Sequence, residues 1–487
     1  MKNKKIKGIF FMIFTLKIIT LFFFIDYLNN GDLWTTLPKD DEGYLSAVEN
    51  YLEYGEYYYD GKYSGEDKMY APRVPGQSLT YLFFRSIFSK VTAINSLLIF
   101  QCLLFSFSIS LLVNSITKNL KLRSIIIIIS LISIDSYLSF SNNIPYQAES
   151  LNISLTILGF YYLFKFIDNQ RNSDLFYSGL FISIAFFFKV ASVISIAIIG
   201  LFLMYLVIKE RKNAFYLVKY IIIFGSSFFL LETAWIIRNK IKTDKLIYFQ
   251  EIGAIGLDDD SSFHSKIKFC QAFGGDWVRW NPKSAILWFE NDEYLKAMKF
   301  IKPKDNIFPD FIFNNDLTIE KLKIARKLNW EGEESKAIKI INEFTYNIKQ
   351  NNPLQYHLIS RIKYSWNLFF QSPTYYFPYS FNESNLFEKS IKSICFLVYL
   401  LIIILPIIFI PFYLYNYRKI GDLKINFIYF FTFSYIFFYA FVIKTSEFRY
   451  NIICYLGFLT ISIIIIARLV QYKRLVEVLN FKKHKFQ

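Results

Sequence analysis

The stretch "LVYLLIIILPIIFIPFYLY", residues 397–415, contains no charged side chain. A helix apolar on every face has no polar side to give to water, and about twenty such residues match the thickness of a bilayer core. "SIIIIISLISI" (124–134) has the same character. Working outward from these two, membrane spans are expected at 8–25, 92–117, 123–141, 147–167, 174–188, 190–208, 214–236, 390–415, 424–443 and 450–467. Composition agrees: of 487 residues, 54% are hydrophobic, 20% aromatic and 19% charged, too apolar for the two or three soluble domains this length would otherwise suggest. The fold class expected is an all-α polytopic membrane protein with about ten transmembrane helices.

The apolar stretch from 174 to 208 is divided at Lys189 because it is too long for one crossing and the lysine needs a polar exit. The N-terminus reads as an uncleaved signal-anchor, basic first and then apolar to Ile25. Lys17 sits near the middle of that span and must face a polar interior or mark a shifted segment.

The formal net charge of +16 does not point to nucleic acid, and no nucleic-acid partner is expected. Much of the charge lies in short clusters between spans: "KNKKIK" (2–7), "KNLKLR" (118–123), "KERKN" (209–213), "YRK" (417–419) and "KRLVEVLNFKKHK" (473–485). Cytoplasmic loops retain Lys and Arg, so these clusters set topology. With the N-terminus inside, every one falls on the cytoplasmic side, leaving 26–91, 142–146, the Lys189 turn, 237–389 and 444–449 outside. Three units follow: an N-terminal transmembrane module (1–236, with the first outer loop at 26–91), a mostly helical extracytoplasmic domain (237–389), and C-terminal transmembrane helices with a basic tail (390–487).

Cys102, Cys395 and Cys454 fall in spans and Cys270 in a long loop, so no disulfide or cysteine metal site is expected. Three scattered histidines make no metal triad, and no phosphate-loop, dinucleotide or nucleophile-elbow motif is present. No cofactor is therefore expected, although acids beside a phosphate could recruit a divalent ion.

The outer segments hold the unusual residues. "DDEGYLSAVENYLEYGEY" (40–57) sets three acids before Tyr44, Ala47, Val48, Tyr51, Leu52 and Gly55, a helical spacing that predicts an amphipathic juxtamembrane helix. Asp40 or Asp41 would start it and Gly55 would stop it, so N-capping alone accounts for an acid here. "YAPRVPGQSLTYLFFRSIF" (70–88) predicts a rigid turn and then a second juxtamembrane helix. In the large outer segment, "TIEKLKIARKLNW" (318–330), "ESKAIKIINEFTYNIKQ" (334–350) and "PLQYHLISRIKYSWNLFF" (353–370) read as helices. Trp277, Trp280 and Trp288 are its candidates for stacking on a sugar.

Lys189 is either a functional cation or a lysine reaching to the interface. Arg238 in "ETAWIIRNK" (232–240) and Arg449 in "KTSEFRYN" (444–451) lie outside, where positive charge is disfavoured. A guanidinium fork suits phosphate. The alternative is ion pairing, Arg238 with Glu232 and Arg449 with Glu447. Arg73 could hold the loop or a phosphate. Glu149, at the mouth of a span, could orient a cation or serve the helix start.

The ordered set "DEGYLSAVENYLEYGEY", "RVPG", "PYQAES", "WIIRN" and "EFRY", all on one side, resembles the GT-C superfamily of membrane glycosyltransferases. The likeness is to bacterial relatives of protein O-mannosyltransferases and of lipid A aminoarabinose transferases. It covers the first seven spans and the last outer turn, not the outer domain at about 260–350. The resemblance implies a polyprenyl-phosphate sugar as donor, a glycan, lipid or protein hydroxyl as acceptor, and inverting transfer at the extracytoplasmic face of a bacterial cytoplasmic membrane. It implies Asp41 as general base beside Glu42, with Asp40 the competing register, and Lys189, Arg238, Arg449 and Arg73 at the donor phosphate. Tyr44, Glu149, Asn239 and Tyr450 would support them. Two departures stand out: Lys189-Val190 replaces an Arg-Pro pair, and "RY" is followed by "NIICYLG" without the usual proline.

Two other readings compete. A ligase or polymerase of pyrophosphate-linked saccharide would not need the acidic helix directly after the first span. A transporter or flippase of lipid-linked sugar predicts charge at mid-membrane and repeated halves, and no internal repeat is evident.

Overall fold

The structure, a computed structural model, describes residues 2–23, 41–60, 68–117, 125–126, 128–130, 132, 148–250, 262–272, 321, 324–325, 327–329, 331–370, 385–415, 422–444 and 451–484. It is mostly helical. Among these residues seven helices are long and apolar enough to cross a membrane: Lys90–Ile116, Glu149–Asn169, Val190–Lys209, Ala214–Thr243, Leu386–Tyr415, Leu423–Ile443 and Ile452–Leu469. Asn172–Phe188 is a shorter apolar helix. In chain order the helices are α1 (Lys2–Phe23), α2 (Asp41–Tyr54), α3 (Gly76–Arg85), α4 (Lys90–Ile116), α5 (Glu149–Asn169), α6 (Asn172–Phe188) and α7 (Val193–Lys209). There follow α8 (Ala214–Thr243), α9 (Ser262–Ala272), α10 (Glu334–Asn351), α11 (Ser360–Phe370), α12 (Leu386–Tyr415), α13 (Leu423–Phe437) and α14 (Asn451–His484). Most of the expected span at 123–141 lies outside the described residues, and its described positions are helical.

The break at Lys189 is present. Lys189 is extended (φ −150°, ψ 116°) between α6 and a 3-10 turn, Val190–Ser192, that leads into α7. The chain reverses there: Lys212, at the α7–α8 turn, donates to Gln170, at the α5–α6 turn, at 3.2 Å. The far ends of α6 and α7 therefore lie together.

Further ties gather at the same end. Lys424 meets Asp168 at 2.6 Å, and Arg468 meets Asp422 at 2.9 Å. Lys5 donates to the Thr117 carbonyl at 2.7 Å. The starts of α4 and α5 share one buried cluster (Ala93, Ile94 and Leu97 with Ala148 and Leu151), so these helices run side by side in one direction. The described chain next to the expected cytoplasmic clusters thus converges on one end of the bundle.

Close packing comes from small residues, as membrane helices require where lipid gives no hydrophobic drive to associate. A Cβ on Gly179 would lie 2.0 Å from the Phe224 carbonyl oxygen, which sets the approach of α6 to α8. Ser178 and Ser183 reinforce the interfaces, to the Gly159 carbonyl at 2.9 Å and to Ser227 at 3.2 Å. Inside α12, Pro406 has no N–H for the carbonyl one turn back. That carbonyl, on Ile402, accepts from Ser462 of α14 at 2.9 Å, so this acceptor is not stranded in the apolar interior. Lys17 is 1% exposed, with its ammonium 4.9 Å from the centre of the Phe105 ring on α4, so it faces the bundle.

Two boundaries differ from expectation. The span that starts at 214 continues as helix to Thr243 instead of closing near 236, because Trp235, Arg238 and Asn239 on its last turns find partners in loops. A two-residue antiparallel pairing, β1 (Tyr59–Asp60) with β2 (Lys68–Met69), adds a scrap of sheet to an otherwise helical chain.

Candidate functional site

The opposite end of the bundle is where the sequence-distant segments meet. The α2 helix begins at Asp41, as the acidic stretch predicts, and ends at Gly55, whose φ of 72° favours glycine and whose N–H donates to Tyr51 at 2.9 Å. Leu45 and Val48 of α2 enter the buried cluster formed by Tyr81 of α3, Leu97 of α4, Ala148 and Leu151 at the head of α5, and Ala185 and Phe188 at the end of α6. The backbone of Asp41 therefore starts one helical turn before a residue packed against the span mouths. Tyr51 and Leu52 are exposed, while Asn50 is buried and donates to the Tyr58 carbonyl at 3.0 Å.

Arg238 ties the loop between α2 and α3 to α8. Its guanidinium donates to the Tyr70 carbonyl, to Asn239 Oδ1 at 2.9 Å and to the Tyr57 carbonyl at 3.0 Å. It also stacks 5.2 Å from the Tyr57 ring centre and 5.0 Å from that of Trp235. Three of the five guanidinium N–H groups are thus committed. The anticipated pairing with Glu232 is not what holds it. Both carboxylate oxygens of Glu232 are buried without a hydrogen-bond partner. Asn239 is fully buried and donates in turn to the Ile247 carbonyl at 3.2 Å, which fixes the chain beyond α8.

Below that clamp lies a row of hydroxyls. Tyr57 and Tyr59 share a hydrogen bond at 2.9 Å, and Tyr59 reaches Ser78 of α3 at 3.0 Å. Burial raises both phenols above the usual tyrosine range, against the opposing pull of Arg238 on each and of Arg73 on Tyr59. Arg73 and Arg238 therefore act on the same small polar patch. Glu56 closes it from outside, accepting from Lys68 at 2.7 Å and from Tyr70 at 2.8 Å, with Lys242 at 3.9 Å. Those hydrogen bonds hold the Glu56 carboxyl below its usual range and raise Lys68 and Tyr70. Glu49 of α2 braces α3 in a similar way, accepting from Tyr81 and from Arg85 Nε at 3.2 Å.

Beside this patch, Lys189 forms an ion pair with Glu149, the first residue of α5, with side chains 14% and 4% exposed. Asn152, one turn on, donates to the Ala185 carbonyl at 2.7 Å and to Ser192 at 2.6 Å, locking the reversal against α5. Gly76 of the "RVPG" turn touches the same reversal: a Cβ there would sit 2.4 Å from the Phe187 carbonyl oxygen.

Of the site residues expected from sequence, Arg73, Arg238 and Asn239 share one patch, and Lys189 with Glu149 stands next to it across Gly76. Asp41, Glu42 and Tyr44 form the first turn of α2. Asp40, Arg449, Tyr450 and the three tryptophans (277, 280, 288) lie outside the described residues. Sequence reasoning missed Glu49, Glu56, Tyr57, Tyr59 and Tyr70. Their only signal was the density of tyrosine and acid between α2 and α3, which an interfacial aromatic belt explains as readily. The ensemble offers cations at a span mouth, a helix opening on two carboxylic residues, and a bracing network, all at one end. A cleft of about 480 Å³ lined by Phe202, Tyr205, Tyr413 and Tyr429 belongs to the other half of the bundle and is apolar.

Compared with known protein families, with curated proteins and with solved structures, the chain matches none of them.

Proposed function

We propose that this chain is a GT-C-type glycosyltransferase of about ten crossings in a bacterial cytoplasmic membrane. It moves a sugar from a polyprenyl-phosphate donor to an acceptor hydroxyl at the extracytoplasmic face. The observation that carries the reading is convergence: the start of α2, Arg73, Glu149, Lys189 and Arg238 come from five stretches of sequence and meet at one end. The end that carries the basic ties is the other one.

In this reading the Asp41 carboxylate takes the proton from the acceptor hydroxyl as its oxygen attacks the anomeric carbon. The bond from that carbon to the phosphate oxygen breaks, polyprenyl phosphate leaves with the electron pair, and the configuration inverts. The two N–H groups of Arg238 committed neither to the loop nor to Asn239, together with Arg73 and Arg449, balance the charge of the leaving phosphate. Lys189 shares its ammonium between that phosphate and Glu149. Glu42 keeps the helix opening acidic.

The test is consumption of synthetic polyprenyl-phosphate sugars by the reconstituted protein in the presence of hydroxyl acceptors. The reading expects free polyprenyl phosphate to form in step with glycosylated acceptor. A full panel of donors left unconsumed would contradict it. A second reading, translocation of lipid-linked sugar, draws on Lys17, a charge buried in the middle of α1. It expects donor to cross liposomes with its sugar intact.

A further inference from the structure

The outer helices carry a second collection of cations that the transfer reading does not use. Arg361, in the first turn of α11, is 2% exposed, and its Nη1 is buried with no hydrogen-bond partner. What surrounds the guanidinium is aromatic: the Tyr356 and Tyr364 ring centres lie 5.3 Å and 5.7 Å away. The Tyr356 ring also has Lys444 Nζ at 5.7 Å and Lys349 Nζ at 5.9 Å from its centre. Three cations from α10, α11 and the end of the α13 span therefore close on one tyrosine. Lys268 of α9 adds its charge to the same neighbourhood.

No acid offsets them among the described residues of the elements packed here. Ser262–Ala272, Gln355–Phe370 and Leu423–Lys444 contain neither Asp nor Glu. The two acids of α10 are engaged elsewhere, Glu334 with Lys266 at 2.7 Å and Glu343 with Lys321 at 4.0 Å. Burial first, then repulsion from Arg361, Lys349 and Lys268, pushes the Lys444 ammonium below its usual range. Lys444 also takes a left-handed backbone (φ 60°), unfavourable for a residue with a Cβ. A buried guanidinium lacking a polar partner is costly in a folded chain unless something fills the place of its counterion.

The position indicates the kind of counterion. Lys444 directly follows the helical segment that ends the span Leu423–Ile443, which is the depth of a bilayer's phosphates. Large apolar side chains stand exposed beside the cluster, with Ile362 at 56% and Trp366 at 62% exposure. An aromatic at that level is typical of the membrane interface. We propose that Arg361, Lys349 and Lys444 form a binding site for a phosphate group, the guanidinium fork taking two of its oxygens and the lysines the remainder. The proposal shares no residue with the transfer site and stands whether or not the chain transfers sugar.

Full-length protein, purified in neutral detergent, separates the sources of the phosphate. Native mass spectrometry with phosphatidylglycerol against phosphatidylcholine reads a lipid headgroup, and thermal melting with inorganic pyrophosphate reads a soluble one. For a lipid site, wild type prefers phosphatidylglycerol, and Lys444→Gln and Lys349→Gln each lower that preference by about fivefold. For a soluble site, pyrophosphate raises the melting temperature of wild type more than that of either variant. Arg361→Lys, which keeps the charge and loses the fork, weakens whichever response is seen. Should the Arg361 variant fail to fold, the two lysine variants still decide the matter. Equal lipid preference and equal pyrophosphate response in wild type and Lys444→Gln would overturn the proposal.

Discussion

The guanidinium of Arg238 donates to the backbone carbonyl of Tyr57 at 3.0 Å while lying 5.2 Å from the centre of the same residue's ring. One arginine thus grips a loop residue by its main chain and its side chain, and a second bond to Tyr70 grips the returning strand of the loop. Replacing it by alanine removes charge-assisted bonds each contributing roughly 1.5–3 kcal/mol and leaves half-buried carbonyls unmet. Arg238→Ala should lower the melting temperature and abolish transfer. Arg238→Lys should restore little of either, because an ammonium cannot span two carbonyls in a plane. Thermal melting and turnover of the two variants check this.

The Lys189–Glu149 pair makes a prediction about repair. Glu149→Gln takes the carboxylate away from a largely buried ammonium and should destabilise the protein by roughly 3–5 kcal/mol. Adding Lys189→Met should recover most of that loss, since an apolar pair of similar size carries no desolvation penalty. If Lys189 also serves the donor phosphate, the double variant regains its melting temperature without regaining turnover.

Two glycines set backbone approaches. Gly76→Ala would put a Cβ 2.4 Å from the Phe187 carbonyl oxygen, and Gly179→Ala would put one 2.0 Å from that of Phe224. Both should destabilise by about 1–3 kcal/mol, the range for overpacking. Gly76→Ala should also slow turnover, because it pushes the Arg73 turn away from the Lys189 reversal. Gly55→Ala, with open space around the Cβ but a positive φ, should cost less than either, about 1 kcal/mol.

Acid should loosen the first outer loop. Glu56 is held below the usual carboxylate range, first by its hydrogen bond from Lys68 and then by that from Tyr70. Such a group stabilises the fold above its unfolded value of about 4.3, and the contribution fades as pH falls through the lowered value. Protease cleavage of the loop should rise as pH drops below the ordinary carboxylate range. Glu56→Gln should be more cleavable than wild type at neutral pH and lose that dependence.

Seven of the expected spans and the break at Lys189 were legible because a bilayer sets length and polarity rules for any helix that crosses it. The helix at 41–54 was legible from its spacing and its closing glycine. Its docking on the span mouths through Leu45 and Val48 was not, because that contact depends on residues of four other helices. Arg238 stood out as a cation on the side expected to disfavour positive charge, yet its partners are carbonyls 181 and 168 residues away, and every residue owns a carbonyl. Lys189 read as a functional cation or as a lysine reaching to the interface, and its ion pair was not legible because the acid, Glu149, sits 40 positions back on another helix. Arg361 drew no notice because an arginine in an amphipathic helix reads as solvated until its neighbours are known.

The central claim rests on Asp41, and transfer by Asp41→Asn protein tests it most directly. Wild type, Asp41→Asn and Asp40→Asn are reconstituted with a labelled polyprenyl-phosphate sugar and a hydroxyl acceptor, and both bound donor and transferred sugar are counted. The account predicts that Asp41→Asn binds donor as wild type does and transfers none, while Asp40→Asn keeps its turnover. Full transfer by Asp41→Asn would contradict it.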